Sequence, residues 1–234
     1  MKYIILLHGF GSNSRFMTPL AKRLKKDFPD FTIINKSYNT FTHHYFKLLT
    51  TIHNDMKTLV TTPSEIVVIG HSLGGILATD LICCFPDIDV KCVILGAPFR
   101  GALLADIINV FVPMAKKMFP IVEYLTKEPD GIHVLPNNTH KFLIVHATKR
   151  LTWYNPITWI TGILLFGQKL HDGVVDFTLA DLDDIEHKDV FIVDVDHINL
   201  IFDKRIYNII ELFLRDSNEI NSHNRKQFSN SFRQ

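Results

Sequence analysis

The sequence is poor in cysteine, balanced in charge and free of long apolar runs, and each shortage narrows what the chain can be. Three cysteines, Cys83, Cys84 and Cys92, occur in 234 residues, too few for a disulfide framework. They fall in segments that read as core, where reduced thiols behave as small hydrophobes, which points to a reducing, cytoplasmic compartment. Lys and Arg total 25 against 24 Asp and Glu, so no excess of one sign is available to hold nucleic acid or an anionic membrane surface. No apolar run approaches the roughly 18 residues that a bilayer-spanning helix needs, so the protein is expected to be at most peripheral to membranes. The opening stretch Met1–Leu7 is too short for a secretory h-region and runs into His8-Gly9 without a small-residue cleavage site; it reads as a strand. Neither His-x-x-x-His nor Cys-x-x-Cys spacing appears, so no metal site is expected.

What is present is ample material for one core: 47 % of the residues are apolar, and the length suits a single domain. Short, continuously apolar runs rich in branched residues recur at Tyr3–Leu7, Phe31–Ile34, Ile66–Ile69, Cys92–Leu95, Phe142–Val145 and Val190–Val193. Segments with helical spacing lie between them, at Met17–Asp27, Phe41–Thr58, Leu73–Phe85 and Lys204–Leu214. The alternation predicts an α/β fold: a three-layer sandwich of about six mainly parallel strands with helices on both faces. Residues 1–215 read as one domain and 216–234 as a disordered polar tail. Two aromatic-rich segments break the rhythm, at about 101–130 and 151–170. Each follows a strand directly and is expected to sit over the carboxyl edge of the sheet as a lid-like insertion.

The chemistry concentrates at strand ends. The Ile66–Ile69 strand runs into Gly70-His71-Ser72-Leu73-Gly74-Gly75 and then a helix, the context a G-x-S-x-G nucleophile turn requires. Ser72 is the expected nucleophile. Gly70 and Gly74 flank it where backbone must approach backbone, and Gly75 lets the helix press on neighbouring strands. His71 reads as a packing or hydrogen-bonding residue. After the first strand, His8-Gly9-Phe10-Gly11-Ser12 reads as an oxyanion loop, with the backbone N–H groups of Phe10 and Leu73 as the two donors.

Chain order serine, acid, histidine selects one of the twelve histidines: His197, which follows the last strand, is the expected base. The acid is placed at Asp172, in His171-Asp172-Gly173, with Asp176 as the alternative from the same loop. Asp194 and Asp196 read as solvated loop residues, His146 and His187 as structural, and His43, His44, His53, His133, His140 and His223 as solvated or capping.

These features together resemble the lipase and esterase branch of the α/β-hydrolases over nearly all of residues 1–215. The stretch Ala97-Pro98-Phe99-Arg100-Gly101 is similar to the Thr-Pro-His-Arg-Gly signature by which that family enters its lid. The resemblance implies hydrolysis of carboxylic esters of lipids or other hydrophobic alcohols, without a cofactor. A small hydrophobic ester or lipid is the expected substrate, and Lys116 and Lys117 in the first insertion read either as a headgroup contact or as a solvated face. Two other readings stay open: a thioesterase or protein deacylase using the same triad, and a catalytically silent fold that binds a hydrophobic partner.

Overall fold

The computed structural model describes residues 1–88, 90–98, 140–148 and 188–215. The expected acid Asp172, its alternative Asp176, the insertions at about 101–130 and 151–170 and the tail 216–234 all lie outside the described residues.

Six strands form one sheet: β1 (Lys2–Leu7), β2 (Phe31–Asn35), β3 (Glu65–His71), β4 (Val90–Leu95), β5 (Lys141–Ala147) and β6 (Lys188–Val193). Their order across the sheet is β2-β1-β3-β4-β5-β6, and every neighbouring pair is parallel. Alternate residues of each strand feed two separate cores. Ile5, Ile66, Val68, Cys92 and Ile94 pack with α2 (Tyr45–Leu59) and α3 (Leu73–Ile82) on one face. Ile4, Leu6, Val67, Ile69, Val93 and Leu95 pack with α1 (Ser14–Asp27) and α4 (Lys204–Arg215) on the other. Continuous apolarity in the sequence is therefore the signature of a sheet buried on both sides. The edge strand departs from it: Val190 and Ile192 of β6 keep 40 % and 46 % exposure.

Three helix boundaries differ from the expected ones by three residues or more, each for a local polar reason. α1 starts at Ser14 rather than Met17, because the Asn13 side chain accepts the Arg15 N–H at 2.9 Å and caps the helix. α2 starts at Tyr45 rather than Phe41, because Asn39 Oδ1 accepts the N–H groups of Phe41 at 2.9 Å and Thr42 at 3.1 Å and turns the chain first. α3 stops at Ile82 rather than Phe85: the N–H groups of Cys84 and Phe85 bond the carbonyls of Leu81 and Ile82, three residues back, and tighten the end ahead of Pro86.

The chain passes from β1 outward to β2, then returns to place β3 on the other side of β1. That reversal puts the switch point of the sheet at the carboxyl ends of β1 and β3, the position where sheets of this kind bind ligands. The register sets Leu7 opposite Gly70 and His71 opposite Leu95, so the loops after β1, β3 and β4 emerge level with one another.

Candidate active site

Ser72 sits between β3 and α3 with φ 55° and ψ −125°, a conformation that a residue with a side chain adopts only under constraint. The constraints are visible. Its N–H is held by Leu95 O at 2.9 Å, and its carbonyl accepts the Gly75 N–H at 2.8 Å. A Cβ on Gly70 would lie 2.1 Å from Gly74 O, one on Gly74 would lie 2.2 Å from Leu7 O, and one on Gly75 would lie 2.6 Å from Ala97 Cβ. Three glycines thus let β1, β3, β4 and α3 close on the turn, and backbone packing rather than any side chain fixes the serine. Leu73 opens α3, where a backbone N–H has no earlier turn to bond and the helix dipole favours negative charge.

On the β1 side, a Cβ on Gly9 would come 3.0 Å from Ser72 Cβ, so the His8–Ser12 loop lies directly against the serine. His8 is fully buried. Its Nδ1 bonds Gly9 O at 2.9 Å, its Nε2 accepts the Tyr38 N–H at 3.2 Å, and its carbonyl accepts the Tyr38 phenol. The two rings stack with centroids 3.8 Å apart and 11° between planes. Gly11, at φ +67°, donates its N–H to Thr40 Oγ1 at 3.0 Å, and the Phe10 ring meets Phe41 edge-on. Burial holds the His8 imidazole below its ordinary pKa, with the Gly9 bond pulling the other way, and burial pushes the Tyr38 phenol well up.

On the far side, His197 occupies the buried turn after β6. Gly96, at φ +61°, makes room for it: a Cβ there would lie 3.2 Å from its Nδ1 and Cε1 and 2.6 Å from Leu200 Cδ1. Since Leu95 O holds the Ser72 N–H, the Leu95-Gly96 pair touches the serine on one side and the histidine on the other. His71 Nε2 donates to His197 O at 2.9 Å, with ring centroids 4.8 Å apart. Phe16 packs behind His71, and Phe202 behind Phe16.

The structure therefore brings Ser72, Leu73, Phe10 and His197 to one edge of the sheet. It also corrects two readings. Asp196 is not a solvated loop residue: it is buried, and it accepts the N–H groups of Ile198 and Asn199 at 3.0 Å each and the Asn199 side chain at 2.7 Å, which shapes the turn that carries His197. His140 is likewise buried and accepts the Val90 N–H at 3.1 Å, anchoring the start of β4. His146 lies buried within β5, in keeping with a structural role. Tyr38 and Thr40 escaped the sequence reading because their partners lie about thirty residues away in the chain. Asp196 carried a signal, since an Asp three residues before an Asn is a pattern for a side-chain-capped turn.

Residues 4–190 match the alpha/beta hydrolase family. The chain belongs to that family. Among solved structures, the hydrolase is similar to the mature lipase BlEst2 of Bacillus licheniformis, at 15 % identity over 92 % of this chain and 91 % of that one, with a TM-score of 0.67. It is similar also to the metagenomic carboxyl esterase MGS0156, at 15 % identity over 92 % of this chain and 76 % of that one, TM-score 0.60. A lipase-esterase related protein from Clostridium acetobutylicum matches at 15 % identity over 91 % of this chain and 94 % of that one, TM-score 0.55. At such identities the likeness establishes a common fold. No curated protein matches the hydrolase in sequence. Among its described residues, no helix is long and apolar enough to cross a membrane, no cluster of three or more His, Cys, Asp or Glu is arranged to hold a metal ion, and all three cysteines are free thiols.

Proposed function

We propose that the protein is a serine hydrolase that cleaves carboxylic esters with hydrophobic acyl or alcohol groups through an acyl-Ser72 intermediate. The observation that carries this reading is the strained backbone of Ser72 at the reversal point of the sheet, against the His8–Ser12 loop and linked through Leu95-Gly96 to the turn that bears His197. Strain of this kind persists only where surrounding packing over-determines it, and it clusters at reactive groups.

In this mechanism the Ser72 hydroxyl attacks the ester carbonyl while His197 takes its proton. The tetrahedral oxyanion accepts hydrogen bonds from the Phe10 and Leu73 N–H groups, which act on charge that exists only near the transition state. Collapse of the intermediate breaks the ester bond, and His197 returns the proton to the departing alcohol. Water, activated by the same histidine, then releases the acid and restores Ser72. Asp172 is assigned to orient His197, with Asp176 as the alternative. The hydrophobic preference rests on the Phe10–Phe41 pair beside the oxyanion loop, where Phe41 stays 43 % exposed, and on the lipase and esterase names of the structural neighbours.

The test is labelling with a fluorophosphonate probe, with Ser72→Ala as the blank, followed by a p-nitrophenyl ester panel from acetate to palmitate. Ser72-dependent labelling and turnover favouring longer acyl chains are expected. Folded protein that leaves Ser72 unlabelled sinks the assignment, and cleavage restricted to palmitoyl thioesters replaces esterase by thioesterase.

A further inference from the structure

We propose that Tyr38 is a positioning residue for the oxyanion loop, which it orients through His8 so that the Phe10 N–H is aimed at the reacting carbonyl. The inference rests on the serine-hydrolase reading above. A trans peptide unit is planar, so a carbonyl and the N–H of the next residue point in opposite directions. Gly9 C=O and Phe10 N–H share one such plane, and His8 C=O and Gly9 N–H share the one before it. Gly9 O accepts from His8 Nδ1 at 2.9 Å and from the Ser12 N–H at 3.3 Å. The Phe10 N–H is directed away from both. His8 O accepts the Tyr38 phenol and lies close over Gly74, where a Cβ would come within 2.7 Å of it. Two successive planes are thereby fixed, the first by Tyr38 and the second by His8.

The tautomer of His8 links the two. A carbonyl oxygen can only accept, so Nδ1 carries the hydrogen toward Gly9; a backbone N–H can only donate, so Nε2 presents its lone pair to Tyr38. Tyr38 therefore selects, with its own backbone, the one neutral form of His8 that holds Gly9. The stacked rings keep the imidazole in the plane this requires. Burial, which disfavours the imidazolium, acts in the same direction. At the loop's other end Thr40 holds the Gly11 N–H, so a single segment between β2 and α2 grips both sides of Phe10.

The experiment is steady-state kinetics on a p-nitrophenyl ester, with kcat normalised to sites titrated by a fluorophosphonate so that only folded, labelled enzyme is counted. Tyr38→Phe keeps the ring stack and the backbone N–H and removes only the phenol bond. Losing an oxyanion donor outright costs on the order of 10²–10³ in kcat, and misaiming one costs part of that. Tyr38→Phe is expected to lower kcat at least about fivefold while KM moves less than about twofold, the mark of an interaction made in the transition state. A trifluoromethyl ketone should bind the variant more weakly by a similar factor. His8→Asn, which can place an amide nitrogen where Nδ1 was, should retain more kcat than His8→Gln, which can reproduce only Nε2. A Tyr38→Phe enzyme with a smaller fall in kcat, or equal losses in the two His8 variants, overturns the clamp. Ester turnover that survives Ser72→Ala overturns the serine-hydrolase reading as well, so the two failures are distinguishable.

Discussion

The two walls of the Ser72 site are built differently. In the proposed mechanism the β1 wall must aim a backbone N–H, and it is gripped from outside: residues 38–41, remote in sequence, supply two hydrogen bonds to His8, one to Gly11 and an aromatic edge to Phe10. In the same mechanism the β6 wall must aim a side chain, and it is shaped from within: Asp196 folds its own turn, and among the described residues His71 and Gly96 reach in from neighbouring strand ends. A group delivered by the backbone needs its peptide planes fixed, whereas one delivered by a side chain needs a fixed backbone behind it and room for the ring. The first kind of site is insensitive to the identity of the residue that supplies it, and the second depends on it entirely.

The largest expected effect tests that contrast directly. His197→Ala should lower kcat by about 10⁴-fold or more, since removing the histidine of such a triad costs about as much as removing all three members. Phe10→Ala, which deletes a ring but keeps the N–H, should stay within about tenfold of the native kcat. Comparable losses in the two would erase the distinction between the walls. A sharper version uses glycines. Gly9→Ala places a Cβ 3.0 Å from Ser72 Cβ without a positive φ, whereas Gly96→Ala places one 2.6 Å from Leu200 Cδ1 and 3.2 Å from the His197 ring and forces alanine to φ +61°. Urea denaturation should find Gly96→Ala the less stable of the two by at least about 1–2 kcal/mol, the strain of a left-handed alanine. Equal stabilities would mean that neither the left-handed backbone nor the Leu200 contact is costly at Gly96.

The same contrast explains what could be read from the residues. All six strands, their parallel arrangement and the turn around Ser72 were legible, because a doubly covered parallel sheet writes itself as continuous apolar runs and a nucleophile turn demands glycine at fixed offsets. His197 lies buried in the turn after β6, the position that a proposed base of this chemistry has to occupy. Phe10 could be named only by position, since any residue supplies an N–H, and what aims it was not legible at all. Tyr38 meets His8 only after β2 has packed beside β1, so the pair has no local spacing. The starts of α1 and α2 depart from the apolar periodicity for another reason: periodicity locates the helices, while Asn13 and Asn39, by accepting backbone N–H groups, decide where they begin.

Asp196 offers an intermediate effect confined to the β6 wall. Its Oδ1 accepts two backbone N–H groups and its Oδ2 the Asn199 amide. Asp196→Ala should cost about 1 kcal/mol by leaving partly buried donors without their acceptor, and Asp196→Asn less than half of that, because it keeps the Oδ1 acceptor. Chemical denaturation measures both. If alanine and asparagine prove equally costly, the turn is held by something other than the bonds to its backbone.

The smallest effect is an acid sensitivity of the β1 wall. His8 accepts at Nε2 from the Tyr38 N–H, a bond that protonation destroys. The folded pKa of His8 lies below its ordinary value of 6.5. As pH falls through 6.5 the unfolded chain takes up a proton that the folded chain refuses, so stability present above that pH is lost below it, by at most about 1.4 kcal/mol per pH unit. His53, also lowered by burial and by Lys57, contributes in the same direction but equally in every variant compared. Urea midpoints at pH 7.5 and 5.5 should therefore shift less for His8→Asn than for the native chain. A native-sized shift in His8→Asn would place the acid-sensitive joint outside the β1 wall.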